Sequence, residues 1–122
     1  MPGLVHVVDD DASFRTAIER RLKHAGYEVE THSSAQHLLD RLPGVEKPEC
    51  ILLDVQMPGL NGLDLQDRLI ARGHRIPIIF MTGYPNDSVR ARAMKAGAVC
   101  FLNKPFSEDH FIGCIEKALK AA

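Results

Sequence analysis

Apolar residues in this chain fall into two alternating patterns: short continuous runs, and spacings of three or four. Leu4-Val5-His6-Val7-Val8, Cys50-Ile51-Leu52-Leu53, Ile76-Pro77-Ile78-Ile79-Phe80-Met81 and Val99-Cys100-Phe101-Leu102 are the continuous runs, and they read as buried strands. The proline of the third run stands near its start, where a missing N–H donor is tolerated. Tyr27-Glu28-Val29-Glu30-Thr31 alternates instead, as an edge strand open to water on one face does. Between these runs the period is helical. Phe14, Ile18 and Leu22 recur every fourth residue, with Ala17 and Ala25 on the same side and Arg15, Glu19, Arg20 and Lys23 facing away. Ala35, Leu38, Leu39 and Leu42 mark a short helix that Ser33 or Ser34 caps and Pro43-Gly44 breaks, before a polar loop over Val45 to Glu49. Leu63, Leu65, Leu69 and Ile70 form the apolar face of a third helix. Asp87 to Ala96 is a more polar fourth, and Phe111, Cys114, Ile115, Ala118 and Leu119 line a fifth, capped by Ser107. Gly26, Gly73 and Gly97 stop three of these helices.

Strict alternation of strand and helix implies right-handed crossovers and a parallel sheet covered on both faces. The near-continuous apolar strands one, three, four and five fit that burial, and strand two fits an edge. The expected fold class is α/β: a five-stranded parallel sheet, doubly wound as (βα)5, with strand order 2-1-3-4-5 and its switch point between strands one and three.

Composition narrows the function. The 122 residues suit one domain spanning 1–122, with 45% apolar and 25% charged residues and a net charge of −1. That balance lacks the footprint of a nucleic-acid binder. No apolar run reaches membrane-spanning length, and the first residues carry no basic-then-apolar leader, so the expected compartment is the cytoplasm. Cys50, Cys100 and Cys114 are odd in number without a CxxC, and read as small buried hydrophobes. His6, His24, His32, His37, His74 and His110 show no metal-ligand spacing and read as packed or solvent-facing.

Chemistry collects at the strand ends. In such sheets ligands bind outside the carboxyl ends of the strands, at the switch point. Asp9 and Asp10 follow strand one, Asp54 follows strand three, Thr82 and Gly83 follow strand four, and Lys104 follows strand five. Asp11 reads as the cap of the first helix. Asp54 alone is either a ligand-binding group or a nucleophile. Three crowded carboxylates call for a hard divalent cation, and Mg2+ accepts carboxylates, keeps waters and bridges to phosphate oxygens. A carboxylate can attack phosphorus to form an acyl phosphate, provided charge on the phosphoryl oxygens is neutralised. Lys104 offers a point charge, Thr82 a hydroxyl, and Gly83 a backbone free of side chain. Gln56 and Tyr84, each two residues beyond a site residue, could shield or admit the hydrolytic water. Lys104-Pro105 is a candidate cis peptide.

Five motifs carry a resemblance over the whole length: Val7-Val8-Asp9-Asp10-Asp11, Leu53-Asp54-Val55-Gln56-Met57-Pro58-Gly59, Met81-Thr82-Gly83-Tyr84, Lys95-Ala96-Gly97-Ala98 and Lys104-Pro105-Phe106. In that order and spacing the chain resembles a CheY-like receiver domain of a two-component response regulator, and the strings around Lys95 and Lys104 look most like the FixJ-like subgroup. Asp11 departs slightly, because that place often holds glutamate. The resemblance implies Asp54 as phosphoacceptor and Asp9 and Asp10 as the metal-binding pair. Gln56 would supply a backbone carbonyl to the metal, Mg2+ or Mn2+ in its stead. It further implies Thr82, Gly83 and Lys104 as phosphoryl contacts, and Thr82 and Phe101 as the switch pair acting on helix four, strand five and helix five. The implied partner is a sensor histidine kinase. The implied role is signalling rather than enzymatic, with Mg2+-dependent self-phosphorylation and autodephosphorylation.

Two rivals stand beside this reading. A hydrolase with an aspartyl-phosphate intermediate usually has a second acid two residues after the nucleophile, where this chain has Gln56. A receiver-like binding module that is never phosphorylated would have lost a key residue, and all are present. The chain shows no DNA-contacting element of its own, although FixJ-like relatives carry a helix-turn-helix that regulates transcription. Arg90, Arg92 and Lys95 on helix four, facing Asp109 and Glu116 on helix five, would suit a phosphorylation-dependent homodimer.

Overall fold

The computed structural model describes residues 3–44 and 47–121. The readings placed on Met1, Pro2, Val45, Glu46 and Ala122 lie outside the described residues. The elements are β1 (Leu4–Val8), α1 (Ala12–His24), β2 (Glu28–His32), α2 (Ala35–Arg41), β3 (Cys50–Asp54), α3 (Gly62–Ala71), β4 (Ile78–Thr82), α4 (Asp87–Lys95), β5 (Cys100–Asn103) and α5 (Glu108–Ala121). All neighbouring strands pair in parallel, in the order β2-β1-β3-β4-β5. This is the expected topology, with the reversal of strand order between β1 and β3.

Helix starts follow local chemistry. Side chains of Asp11, Ser34, Asn61 and Asn86 each accept the backbone N–H of the residue three further on. Ser107 does the same for His110 at 3.1 Å. Each such cap is worth about 1 kcal/mol. In α3 the cap is reciprocal, since Asp64 accepts the Asn61 N–H at 3.2 Å.

Side-chain alternation along the strands sorts the core into two faces. Ile51, Leu53, Phe80 and Val8 pack with Leu38, Leu39, Leu65 and Leu69 on the side of α2 and α3. Leu52, Ile79, Val5 and Val7 pack with Ile18, Leu22, Phe111 and Ile115 on the side of α1 and α5. Cys50 and Cys114 are buried in this second face. Burial, above all, pushes both thiols up to about 12, which suits the inert packing role. Cys100 is half-buried beside them.

Several expectations are corrected. Ile70 is 53% exposed, because one residue past Leu69 turns 100° away from the core. Ala17 is exposed for the same reason, since α1 buries only the narrow stripe of Ile18 and Leu22, and Ala25 is exposed as the cap residue that follows α1. Strand β5 is an edge and leaves Cys100 and Phe101 half-buried, against the expected two-faced burial. Ile76 and Pro77 precede β4. The Pro77 carbonyl still accepts the Ile51 N–H at 2.9 Å.

The loop that carries Asp54 into α3 folds back tightly. The Gly62 N–H donates to the Val55 carbonyl at 3.0 Å. A Cβ at Gly62 would lie 2.4 Å from the Asp54 carbonyl oxygen. Gly62→Ala should therefore destabilise the fold by about 1–3 kcal/mol, since backbone cannot yield as a side chain does. Urea denaturation checks this. A stability gain, the outcome of helix propensity alone, would contradict it.

Candidate functional site

The strand ends put the polar residues in one place. Asp54, Thr82 and Asn103 are the last residues of β3, β4 and β5, and Asp9 follows β1 directly. Asp9 is fully buried and Asp54 nearly so, while Asp10 is exposed. One carboxylate oxygen from each of Asp9, Asp10 and Asp54 lies within 4.8 Å of the others. Lys104 reaches in from beyond β5. Its Nζ stands 2.8 Å from Asp9 Oδ2 and 3.7 Å from Asp54 Oδ1. The Lys104-Pro105 peptide is cis, as read from its position.

One lysine faces three acids, and the balance shows in Asp54. Burial raises its pKa to about 6, the negative charge of Asp9 adds to the rise, and Lys104 opposes it. The second oxygen of Asp9 accepts the Asp11 N–H at 2.9 Å. Asp11 itself caps α1 through Phe14, as expected of it.

Thr82 and Gln56 meet in an unforeseen way. The Thr82 hydroxyl lies 2.7 Å from Gln56 Oε1 and donates to it, and it accepts the Tyr84 N–H at 3.0 Å. The two side chains expected to act separately, as hydroxyl donor and water shield, are thus joined. Tyr84 itself is 75% exposed. Gly83 is exposed, and a Cβ there would meet no atom within 4 Å, so packing within the chain does not require glycine. Phe101 is half-buried, with its ring centroid 6.0 Å from that of Phe80.

Two residues of α1 were not read from the sequence as site residues. Arg15, expected to face away, turns back so that Nη1 donates to the Asp9 carbonyl at 2.7 Å. Lys104 Nζ sits 4.0 Å from the Phe14 ring centroid, a cation–π contact. Phe14 in turn meets Phe106 edge-on at 6.2 Å. Phe14 counted as a plain core residue because helical period carries no sign of what sits above its outer edge.

Asp54 also links pH to stability. A carboxyl group whose pKa rises on folding, here from 3.8 to about 6, binds protons more tightly in the folded chain. Its contribution favours folding below pH 3.8 and is lost as pH rises to about 6 and beyond. Asp54→Asn should then stabilise the metal-free protein by about 1–3 kcal/mol at pH 7. The gain should shrink to near zero at pH 3.8. Denaturation with chelator present, at several pH values, reads the difference. A gain constant with pH would refute the assignment.

Comparison with known proteins gives the same answer as the geometry. The sequence matches the family model described as the response regulator receiver domain over residues 5–116. It is 42% identical over 120 residues to the transcriptional regulatory protein FixJ of Bradyrhizobium diazoefficiens, covering 98% of this chain and 58% of that protein. The crystal structure of FixJ-N superposes with a TM-score of 0.91 at 34% identity, covering 100% of this chain and 97% of the other. A response regulator receiver protein from Burkholderia phymatum superposes with a TM-score of 0.86 at 42% identity, over 100% and 98% of the two chains. The chain spans little more than half the length of the curated relatives it matches. Acids at the ends of β1 and β3, a lysine beyond β5 and a family match over all five strands make this chain a member of the response regulator receiver family.

Proposed function

We propose that the chain, read as one receiver over 1–122, is a phosphorylation-controlled signalling switch of a two-component system. Its phosphoacceptor is Asp54 and its phosphodonor is the phosphohistidine of a sensor histidine kinase. The observation that carries this is the meeting of Asp9, Asp10, Asp54 and Lys104 at the carboxyl end of the sheet. A carboxylate oxygen of Asp54 attacks phosphorus, the P–N bond breaks, and the imidazole leaves with its electron pair. Raised to about 6, Asp54 is still mostly ionised at neutral pH and so able to attack. Lys104, the Thr82 hydroxyl and the Gly83 backbone would take the phosphoryl oxygens.

The donor set fits a hard cation. It is all oxygen, it converges within 4.8 Å, and Lys104 leaves it short of positive charge. Asp9, Asp10, Asp54 and the Gln56 carbonyl would hold Mg2+, or Mn2+ in its place. When bound, the ion supplies positive charge against the phosphoryl oxygens. Phe14 and Arg15 hold Lys104 and the Asp9 backbone in position for the same oxygens.

Signal leaves through Thr82. Its hydroxyl gives up Gln56 for a phosphoryl oxygen, and Phe101 turns into the space that opens. Helix α4 suits a movable surface, because it fully buries only Ala93. The surface of α4, β5 and α5 is the one we assign to the kinase-dependent output, including a phosphorylation-dependent homodimer. Arg92 is committed to Asp67 of α3 at 2.8 Å, so Arg90 and Lys95 are the cations left for α5 acids. Among the described residues no helix is long and apolar enough to cross a membrane. We place the switch in the cytoplasm, with no nucleic-acid contact through these residues. Transcription regulation, named for the FixJ relative, is the output we assign to the switch.

Intact-mass measurement after incubation with Mg2+ and acetyl phosphate should show one phosphoryl adduct. Asp54→Asn or chelator should abolish it. Persistent labelling in Asp54→Asn would overturn the assignment. Thr82→Ala should still take the adduct but lose the change at Phe101, read by NMR shifts of its ring. An unchanged ring response in that variant would remove Thr82 from the switch.

A further inference from the structure

A second cluster of metal-ligating side chains lies under α2, apart from the acidic cleft. Register builds it. His6 of β1 stands beside Glu30 of β2, and Val8 beside His32. His6, Glu30 and His32 therefore share one face of the sheet. Helix α2 lies over that face and lowers His37 and Arg41, one turn apart, onto it. His32 Nε2 is 2.9 Å from His6 Nδ1, and His32 Nδ1 is 2.7 Å from His37 Nδ1. Glu30 Oε2 is 3.1 Å from His6 Nε2 and 4.0 Å from His32 Nε2.

His6 Nε2 is the telling atom. His6 is fully buried, yet this nitrogen makes no well-directed hydrogen bond. Glu30 Oε2 is close but off the line that a hydrogen bond needs. A buried ring nitrogen left this way is costly unless something else satisfies it. The protonation states suit a ligand role. Burial lowers the pKa of His6 and carries that of His32 down to about 4, so both rings are neutral at pH 7. The hydrogen bond from Arg41 lowers that of Glu30, which stays ionised. Neutral imidazole and carboxylate are the forms that bind metal.

We propose that His6 Nε2, His32 Nε2 and Glu30 Oε2 form a site for a divalent transition-metal ion of the Zn2+ class. Bond lengths near 2.0–2.2 Å place tetrahedral ligand atoms about 3.3 Å apart. The His6–Glu30 separation already meets this, whereas His32 Nε2 must leave His6 Nδ1 and close on Glu30 by about 0.7 Å. Binding takes the His32 Nε2 lone pair out of its hydrogen bond with His6 Nδ1, so the two rings must turn apart, while the His32 proton sits on Nδ1 and goes to His37, which orients the ring from outside. Half-exposed Glu30 opens the fourth position to water. Imidazole donors exclude Mg2+, so the two clusters sort two kinds of metal. The Arg41 guanidinium works against the ion, since it holds the other Glu30 oxygen and repels a dication. The site also touches the cleft: the Asp9 N–H donates to the His32 carbonyl at 3.2 Å.

Calorimetric titration of the tag-free chain with Zn2+, in excess Mg2+ to saturate the acids, tests the site. One equivalent should bind, and Co2+ in its place should give the visible bands of a tetrahedral nitrogen–oxygen site. Glu30→Gln, on a half-exposed edge position that leaves folding intact, should weaken binding at least tenfold. Arg41→Ala should tighten it several-fold, which a merely structural cluster would not do. Asp54→Asn should leave it unchanged. No Zn2+ binding in excess Mg2+, or binding that follows Asp54 and ignores Glu30 and Arg41, would overturn the proposal.

Discussion

Crowded negative charge in a partly dry cleft is the constraint on which this molecule turns. Asp9 and Asp54 are buried side by side, Asp10 joins them from the surface, and one lysine answers all three. Asp54 records the imbalance in its raised pKa. Such a cluster is tolerable only where the sheet opens to solvent, which is why all its members stand at carboxyl ends of strands. It also explains the care taken with Lys104. The ring of Phe14 and the carboxylate of Asp9 hold the ammonium from two sides, and Arg15 ties the Asp9 backbone to α1. A site short of positive charge attracts a cation, and an anionic phosphoryl group can be held there only with that cation's charge.

The response to that chemistry depends on how unevenly the helices are anchored. Helix α3 buries Leu63, Leu65, Gln66 and Leu69, and its start is pinned by a reciprocal cap and the close approach of Gly62 to Asp54. Helix α4 buries Ala93 alone, and Gln66 of α3 adds a tie by donating to the Ala93 carbonyl at 3.1 Å. Rigid structure therefore stands behind Asp54 and loose structure beyond Thr82. The Thr82–Gln56 hydrogen bond bridges the two.

The histidine cluster arises from the same strand geometry with different side chains. Alternation put Asp9 and Asp54 at the open end of the sheet. It also put His6, Glu30 and His32 on one face, under a helix that brings His37 and Arg41. In sequence these residues are scattered over 36 positions and show no ligand spacing. Period two on each strand and period four on α2 held the information, but only the pairing of β1 with β2 joins it. Tertiary contacts likewise hid Arg15 and Phe14, which meet the Asp9 carbonyl after β1 and Lys104 beyond β5, and misplaced Arg92, which turned to Asp67 on α3.

Sequence by itself determined the elements, their parallel order and the residues at the strand ends, because apolar period and turn chemistry are local properties. It also determined two helix starts, where Asp11 and Ser107 cap through side chains three residues away from their donors. Tertiary structure alone decided which neighbours those residues meet. Margins of apolar stripes, such as Ile70 and Ala17, were left in water by packing distances that no single helix specifies. The Thr82–Gln56 bond, the Lys104 cradle and the His6–Glu30–His32 cluster each join residues from different elements. Their distances follow from strand register and helix placement, which are set by the whole core rather than by any stretch of the chain.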